Sequence, residues 1–411
     1  MKLLILTYGT EGDTRPLAAL GRALMDAGHA VHLLADGATL GTAAALGVPA
    51  TSLSGDIREA LRPGGRASEL LEKNAFSSTA AELARIANNN AEAWLRAAVA
   101  AGKGCDAVIF SGLAGFIGLS AAEYLGVPAI GTGMFPITPT AEFPSALLPP
   151  GKIPRLFNRL SHHVVNGLLW RAFRKATNAA RARVCNLPPQ KSLWVGHPAL
   201  YGVSPALLPR PADWPDNALV CGQWLAPAKQ GAAPAMLSEF LAAGDAPIYV
   251  GFGSMGGFDP RHMLQSIIGA LAGRRALLYP GWSGADTSQL PANICVVGDT
   301  PHDWLLPQTA MAIHHGGSGT THSAARAGVP SVVVPFVGDQ PFWADRIYRA
   351  GVGARLAGWQ ALNPESLADS IRFAERDDVR SRACAMGKRM RAEDGLAAAV
   401  QAIEKLAIAA R

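Results

Sequence analysis

Residues 310–346, AMAIHHGGSGTTHSAARAGVPSVVVPFVGDQPFWADR, constrain the fold of this chain more than any other stretch. They read as strand, glycine turn, helix, strand and polar loop. Ala310 to Ile313 end a strand, His314 to Thr320 form a small-residue turn, and a helix runs from about Thr321 to Ala327, stopped by Gly328 and Pro330. Ser331 to Pro335 reads as a buried β-branched strand, with Gly338, Asp339 and Gln340 in the loop beyond it. Glycines let a backbone approach an anion closely, and the free amides of a helix start point at it. Asp339 and Gln340 are placed to exchange hydrogen bonds with a polyhydroxylic group. A diphosphate on a helix N-terminus beside a carboxylate–amide pair suggests a nucleotide sugar.

With 411 residues the chain is too long for one ordinary core, so two domains are expected. In the first half Leu3–Thr7 reads as a strand, Pro16–Ala27 as a helix closed by Gly28, and Ala30–Ala35 as a strand. Helices fill residues 55–103, and Cys105–Phe110, Leu113–Leu125 and Pro128–Gly131 continue as strand, helix and strand. The alternation restarts with strand Ile248–Gly251, helix Arg261–Leu271 and strands Arg275–Tyr279 and Ile294–Val297. Such alternation calls for parallel, doubly wound sheets with right-handed crossovers. The expected fold class is α/β, with two such domains. The first covers residues 1–210, a Pro-, Ala- and Gly-rich linker 211–245, the second domain 246–390, and a last helix lies within 391–411.

Five scattered cysteines without a CxxC spacing indicate reduced thiols and a cytoplasmic setting. The apolar run of MKLLILTYGTEGD stops at Tyr8, too short for a signal core, and no run of 18 apolar residues occurs. The net charge of +6 is uneven: residues 143–212 hold ten Lys or Arg and no Asp or Glu, leaving −4 for the rest. Within residues 152–183, Leu156, Phe157, Leu160, Val164, Leu168 and Leu169 fall near one helical face. Two readings stay open. The helix, with Trp170 and Phe173, lies on the inner face of an anionic membrane, or it covers the first domain with its basic side solvated. No nucleic-acid recognition motif accompanies the charge.

The loop after the first strand, Tyr8-Gly9-Thr10-Glu11-Gly12-Asp13-Thr14-Arg15-Pro16, faces the carboxyl end of its sheet. Asp13 can act there as a general base toward a hydroxyl, or simply cap a helix beginning near Arg15 or Pro16. Glu11 is a second carboxylate in the same loop. Gly9 and Gly12 lack the full G-x-G-x-x-G spacing of a dinucleotide site, and Asp36 reads as an ordinary strand-end residue. No D-x-D occurs, and the adjacent His314 and His315 have no third ligand evident, so no metal is expected.

HHGGSGTT, AGVPSVVVPF and GDQPFWADR, with PHDWLLPQ at 301–308, closely resemble the donor-binding signature of family 1 glycosyltransferases of the GT-B fold. The branch most similar holds sterol 3-β-glucosyltransferases and glycopeptide-antibiotic glycosyltransferases. The resemblance implies two Rossmann-like domains facing across a cleft, the first binding the acceptor and the second the nucleotide sugar. It implies Asp13 as catalytic base, in a G-x-x-G-D loop where other members carry histidine. It assigns Gly12, Ser254, His314, His315, Gly317, Ser318, Gly319 and Thr320 to the nucleotide sugar, and Asp339 and Gln340 to the sugar hydroxyls. Phe135, Thr138 and Phe143 would line the acceptor, or would pack the interdomain face. His322 stands where plant members carry a ribose-gripping glutamate, and Trp304 is out of register with their base-stacking tryptophan. UDP and dTDP therefore both remain open, and the last helix resembles the family's crossover helix.

The expected function is inverting, metal-independent transfer of a hexose from a UDP-sugar, UDP-glucose foremost, to a hydrophobic alcohol. Sterols, triterpenoids and polyketides suit that description. The nucleotide sugar is a co-substrate, no resident cofactor is expected, and the chain would be a monomer or weak homodimer. The rivals are a nucleotide-sugar epimerase on the same architecture, a nicotinamide-dependent oxidoreductase, and a non-catalytic binder of lipid or nucleotide sugar.

Overall fold

The computed structural model describes residues 1–61, 76–226, 234–253, 259–281 and 286–409. The first sheet is built from β1 (Lys2–Leu6), β2 (Ala30–Asp36), β3 (Ala50–Leu53), β4 (Ala107–Phe110), β5 (Ala129–Gly133), β6 (Ala199–Tyr201) and β7 (Ala218–Val220). The second is built from β8 (Ile248–Gly251), β9 (Ala276–Tyr279), β10 (Ile294–Val296), β11 (Met311–His314), β12 (Ser331–Val333) and β13 (Gly353–Arg355). The strand orders are β3-β2-β1-β4-β5-β6-β7 and β10-β9-β8-β11-β12-β13. Paired strands run parallel in both sheets, for example Leu3 beside Val31 and His314 beside Gly251.

Both faces of each sheet are covered, which is why β1 is a continuous apolar run rather than an alternating one. Leu3 and Ile5 point to one side, against Leu17 and Leu24 of the Glu11–Asp26 helix. Leu4 and Leu6 point to the other, against Trp94 and Leu95 of the Phe76–Ala101 helix. In the second domain Val250 and Ile267 share one core, while Tyr249, Leu277 and Ala312 share another. The last helix, Gly395–Ala409, packs on the first domain through Ala399 and Ile403, and Glu404 reaches His29 at 2.9 Å.

Residues 211–245, expected as a linker, contain the edge strand β7 and the Ala235–Ala242 helix. Strands β6 and β7 have three residues each, too few to show a period amid the prolines around them. Within 152–183 the Asn158–Cys185 helix buries Trp170 and Phe173 against Phe116, so these two rings serve the domain and not a membrane.

In each sheet the strand order reverses beside its first strand, between β1 and β4 and between β8 and β11. Loops leaving neighbouring strands in opposite directions open a crevice at such a point. Both candidate constellations lie there.

Candidate active site

On the first domain, Thr10 caps the Glu11–Asp26 helix, its hydroxyl accepting from Gly12 N at 3.3 Å. Asp13, third in the helix, returns the bond: its Oδ2 accepts from Thr10 N at 2.8 Å. This reciprocal box starts the helix at Glu11, ahead of the expected Arg15 or Pro16, with Pro16 carried inside. Asp13 is therefore not the capping residue itself. The Gly12 amide is engaged by the cap and belongs to the first domain.

Gly9 makes room for the Asp13 carboxylate, and Gly112 borders it. A Cβ on Gly9 would overlap Asp13 Oδ2. Gly112, in the loop after β4, has φ +59°, and a Cβ there would stand 2.8 Å from the Tyr8 carbonyl and 3.7 Å from Asp13 Oδ1. Burial pushes the Asp13 carboxyl up to about 6, against the opposing effect of its hydrogen bonds to Thr10.

On the second domain β11 delivers His314, fully buried, to the switch point. Gly316 N donates to His314 Nδ1 at 3.1 Å, so the neutral ring carries its proton on Nε2. Nε2 is buried without a partner among the described residues. Burial pushes this imidazole down to about 3, so it stays neutral at physiological pH. Gly316 has φ +89°, and a Cβ there would stand 2.8 Å from Val333 Cγ1, so glycine is required at the turn. His315 lies against the loop after β8, where a Cβ on Gly253 would stand 3.0 Å from its Cε1. Ser254 lies outside the described residues.

The helix after the turn begins at Ser318, earlier than expected, so Ser318, Gly319 and Thr320 are its first turn rather than part of the loop. Gly317 occupies the cap position and offers no side chain, which leaves the first-turn amides uncapped. That end of the helix carries partial positive charge. His322, one turn on, donates from Nδ1 to Ser318 O at 2.7 Å and meets Trp343 edge-on at 4.8 Å. Among the described residues no group of three or more His, Cys, Asp or Glu is placed to hold a metal ion.

Asp339 ends the expected loop at the cap position, and Gln340 is already the first residue of the Gln340–Arg349 helix. Trp343 Nε1 donates to Asp339 Oδ2 at 2.8 Å. Gln340 Oε1 accepts from Phe336 N at 2.8 Å and Val337 N at 3.0 Å, fastening the segment after β12. Burial pushes the Asp339 carboxyl up to about 7; the Trp343 bond opposes this and the negative charge of Asp13 adds to it. Arg15 joins the two domains, 3.1 Å from both Glu11 of its own helix and Asp299 of the second domain.

The three residues expected at the acceptor have structural partners. Phe143, 7% exposed, packs on Phe342 at 5.4 Å with Arg346 over its ring at 4.6 Å, which is the interdomain-packing alternative. Thr138 Oγ1 lies 2.6 Å from Tyr201 OH, and Phe135 borders the same cluster. Trp304 is 38% exposed and is not a core residue. Sequence reasoning passed over Gly112 and Trp343, and weighed Gly9 only as part of a dinucleotide turn and Arg15 only as a helix start. Only Trp343 had a local signal, its four-residue spacing from Asp339.

Two doubly wound parallel sheets with their switch points facing, an uncapped helix start beside a buried histidine on one side and a carboxylate on the other, define the GT-B class of protein. The solved structures agree on the fold. Glycosyltransferase VinC, solved in complex with dTDP, superposes with a TM-score of 0.70 at 21% identity over 100% of both chains. The spinosyn rhamnosyltransferase SpnG gives 0.65 at 21% identity, covering 98% of this chain and 100% of that one.

Residues 268–406 match the erythromycin biosynthesis protein CIII-like C-terminal domain. The chain is 33% identical to a sterol 3-beta-glucosyltransferase of Arabidopsis thaliana, over 98% of its own length and 68% of that protein. It is 33% identical to O-mycaminosyltylonolide 6-deoxyallosyltransferase of Streptomyces fradiae, over 99% of its own length and 98% of that protein. It spans only 28% of a sterol 3-beta-glucosyltransferase of Yarrowia lipolytica, at 29% identity. The chain belongs to family 1 of the glycosyltransferases and is a glycosyltransferase. These relatives give the epimerase alternative no support.

Proposed function

We propose that this glycosyltransferase is inverting and metal-independent, moving glucose from UDP-glucose to a hydroxyl of a hydrophobic acceptor such as a sterol, triterpenoid or polyketide. The observation that carries the reading is the pair of switch points: a carboxylate, Asp13, held at that of the first sheet, and the buried His314 with a partnerless Nε2 beside an uncapped helix start at that of the second. Asp13 takes the proton as the acceptor oxygen bonds to the anomeric carbon. The bond from that carbon to the diphosphate breaks on the far side, and the nucleoside diphosphate leaves with the electron pair. The Nε2–H of His314 and the amides of Ser318, Gly319 and Thr320 stabilise the charge on the leaving phosphate. Asp339 and Gln340 hold the sugar hydroxyls.

Support for glucose and a flat lipid acceptor comes from the sterol glucosyltransferases among the relatives. Support for a dTDP-sugar comes from the thymidine diphosphate seen with SpnG, and His322, standing where plant members carry a ribose-gripping glutamate, leaves that donor open. Five unpaired cysteines fit a reducing, cytoplasmic setting, and no helix among the described residues is long and apolar enough to cross a membrane. We read the chain as a monomer or weak homodimer without a resident cofactor.

The test is a donor-by-acceptor screen in EDTA, reading nucleoside diphosphate release, product mass and the anomeric configuration by NMR. Release from UDP-glucose only with a sterol-like or polyphenolic alcohol, with inversion at the anomeric carbon, is the expected result. Retention of configuration, or dependence on a divalent cation, overturns it.

A further inference from the structure

Five of the large apolar side chains exposed on this protein come from one short stretch: Leu156, Phe157, Leu160, Val164 and Leu168. Leu156 is 86% exposed and Leu168 58% exposed, more than chance decoration of a soluble surface requires. Residues 160, 164 and 168 follow one another at four-residue steps and form a single row along the Asn158–Cys185 helix. The helix is anchored from its opposite side. Asn158, His162, Trp170 and Phe173 are buried, and His162 Nε2 lies 3.0 Å from the Phe143 carbonyl. The apolar row is therefore not a core face awaiting burial by its own domain.

A three-residue step beyond Leu168 the row turns basic at Arg171, followed four residues on by Lys175, both exposed, with Arg174 exposed beside them. Arg155 and Arg159 flank its start. Arg181 and Arg183, further along, are matched by Glu123 and Glu92. Among the described residues no ion pair takes Arg155, Arg171, Arg174 or Lys175. A face that is apolar along its axis and cationic at both ends, without acid between residues 143 and 212, matches a surface that is greasy beneath and anionic on top.

We propose that this face seats the enzyme on an anionic lipid bilayer, with Phe157, Leu160, Val164 and Leu168 entering the acyl boundary and Arg171 and Lys175 meeting the headgroups. The helix touches the Phe135–Phe143 segment through His162, whose Nε2 lies 3.0 Å from the Phe143 carbonyl, so a bilayer held there borders the segment expected at the acceptor. The proposal rests on the exposed row itself and stands whether or not the acceptor is a lipid.

The test is sedimentation of the full chain with vesicles of phosphatidylcholine alone and of phosphatidylcholine with phosphatidylglycerol, at low and high salt. The expected result is binding to the anionic vesicles only, weakened by salt. Leu160→Asp with Leu168→Asp, and separately Arg171→Glu with Lys175→Glu, should each weaken it by at least about tenfold. Both variants should keep the wild-type thermal midpoint and the wild-type rate toward a soluble acceptor. Absence of binding at low salt, or undiminished binding by both variants, overturns the proposal. So does a wild-type dimer in light scattering that Leu160→Asp dissolves, because the row would then belong to a second copy. Failure of every glycosyl transfer assay alongside intact vesicle binding would count against the proposed reaction and not against this surface.

Discussion

The Thr10 amide donates to Asp13 Oδ2 at 2.8 Å, so one carboxylate oxygen is held by the helix start while Oδ1 faces the loop that carries Gly112. Capping uses Oδ2 and leaves Oδ1 for the proposed role as base. Asp13→Asn keeps an acceptor for the Thr10 amide and removes the base. Turnover should fall at least about a hundredfold with thermal stability nearly unchanged, read as kcat beside a melting curve. Wild-type kcat in this variant would make Asp13 a structural residue only.

Gly9 separates positioning from chemistry. A methyl group there would overlap Asp13 Oδ2, so Gly9→Ala must push the carboxylate out of place while leaving its acidity available. The expected loss in kcat/KM is about as large as for Asp13→Asn, since misplacement of about 1 Å can cost about a hundredfold. Unimpaired kcat/KM would show that the carboxylate need not sit where the cap holds it.

The pH dependence follows from the sign of the shift. Burial raises the Asp13 carboxyl from 3.8 to about 6, and a base works only when deprotonated. Below that value kcat/KM should therefore fall about tenfold per pH unit, beyond whatever the protonation of Asp339 near 7 has already cost. Stability moves the other way. The folded state holds this proton more tightly than the unfolded chain, so Asp13 favours folding below pH 3.8 and that contribution is lost as pH rises toward about 6. His314, held near 3, contributes no step in this range. A kcat/KM profile flat from pH 8 to about pH 4.5 would remove Asp13 as the base.

Much of this site was legible in the sequence because its determinants are local. Glycines, a histidine and small hydroxyl residues between two β-branched runs can do little but turn a strand into a helix over an anion. What escaped was decided by distant partners. The helix starts at Glu11 and Ser318 came out late because Pro16 read as a first helical residue and Gly319 as part of a small-residue turn, while the Thr10–Asp13 box starts the first helix at Glu11. Phe143 could not be divided between acceptor and packing, because its neighbours Phe342 and Arg346 lie about two hundred residues further along the chain. Gly112 matters only because parallel pairing brings β4 beside β1.

His314 is set as a hydrogen-bond donor by the Gly316 amide, which occupies Nδ1 at 3.1 Å and leaves the proton on a buried, partnerless Nε2. His314→Ala should weaken nucleoside diphosphate binding and lower kcat by about a hundredfold or more, measured by calorimetry and by turnover. Because the ring is neutral throughout, the affinity that it contributes should not change between about pH 5 and pH 8. Unchanged diphosphate affinity in the variant would show that this nitrogen faces something other than the donor.

Trp343 gives the sugar end of the donor its own test. It is fully buried, and its Nε1 is the donor that fixes Asp339 Oδ2 at 2.8 Å. Trp343→Phe keeps an aromatic ring and deletes that bond. The Asp339 carboxyl loses a partner that lowered its pKa, so it moves further up from about 7 and is free to rotate. A lost buried hydrogen bond of this kind costs about 1–3 kcal/mol, part of it in stability and part in sugar recognition. The expected outcome is a rise of about tenfold or more in KM for the sugar nucleotide, with affinity for the free nucleoside diphosphate unchanged. If both affinities fall together, the tryptophan supports the domain as a whole, and Asp339 is not the group that distinguishes a hexose from its absence.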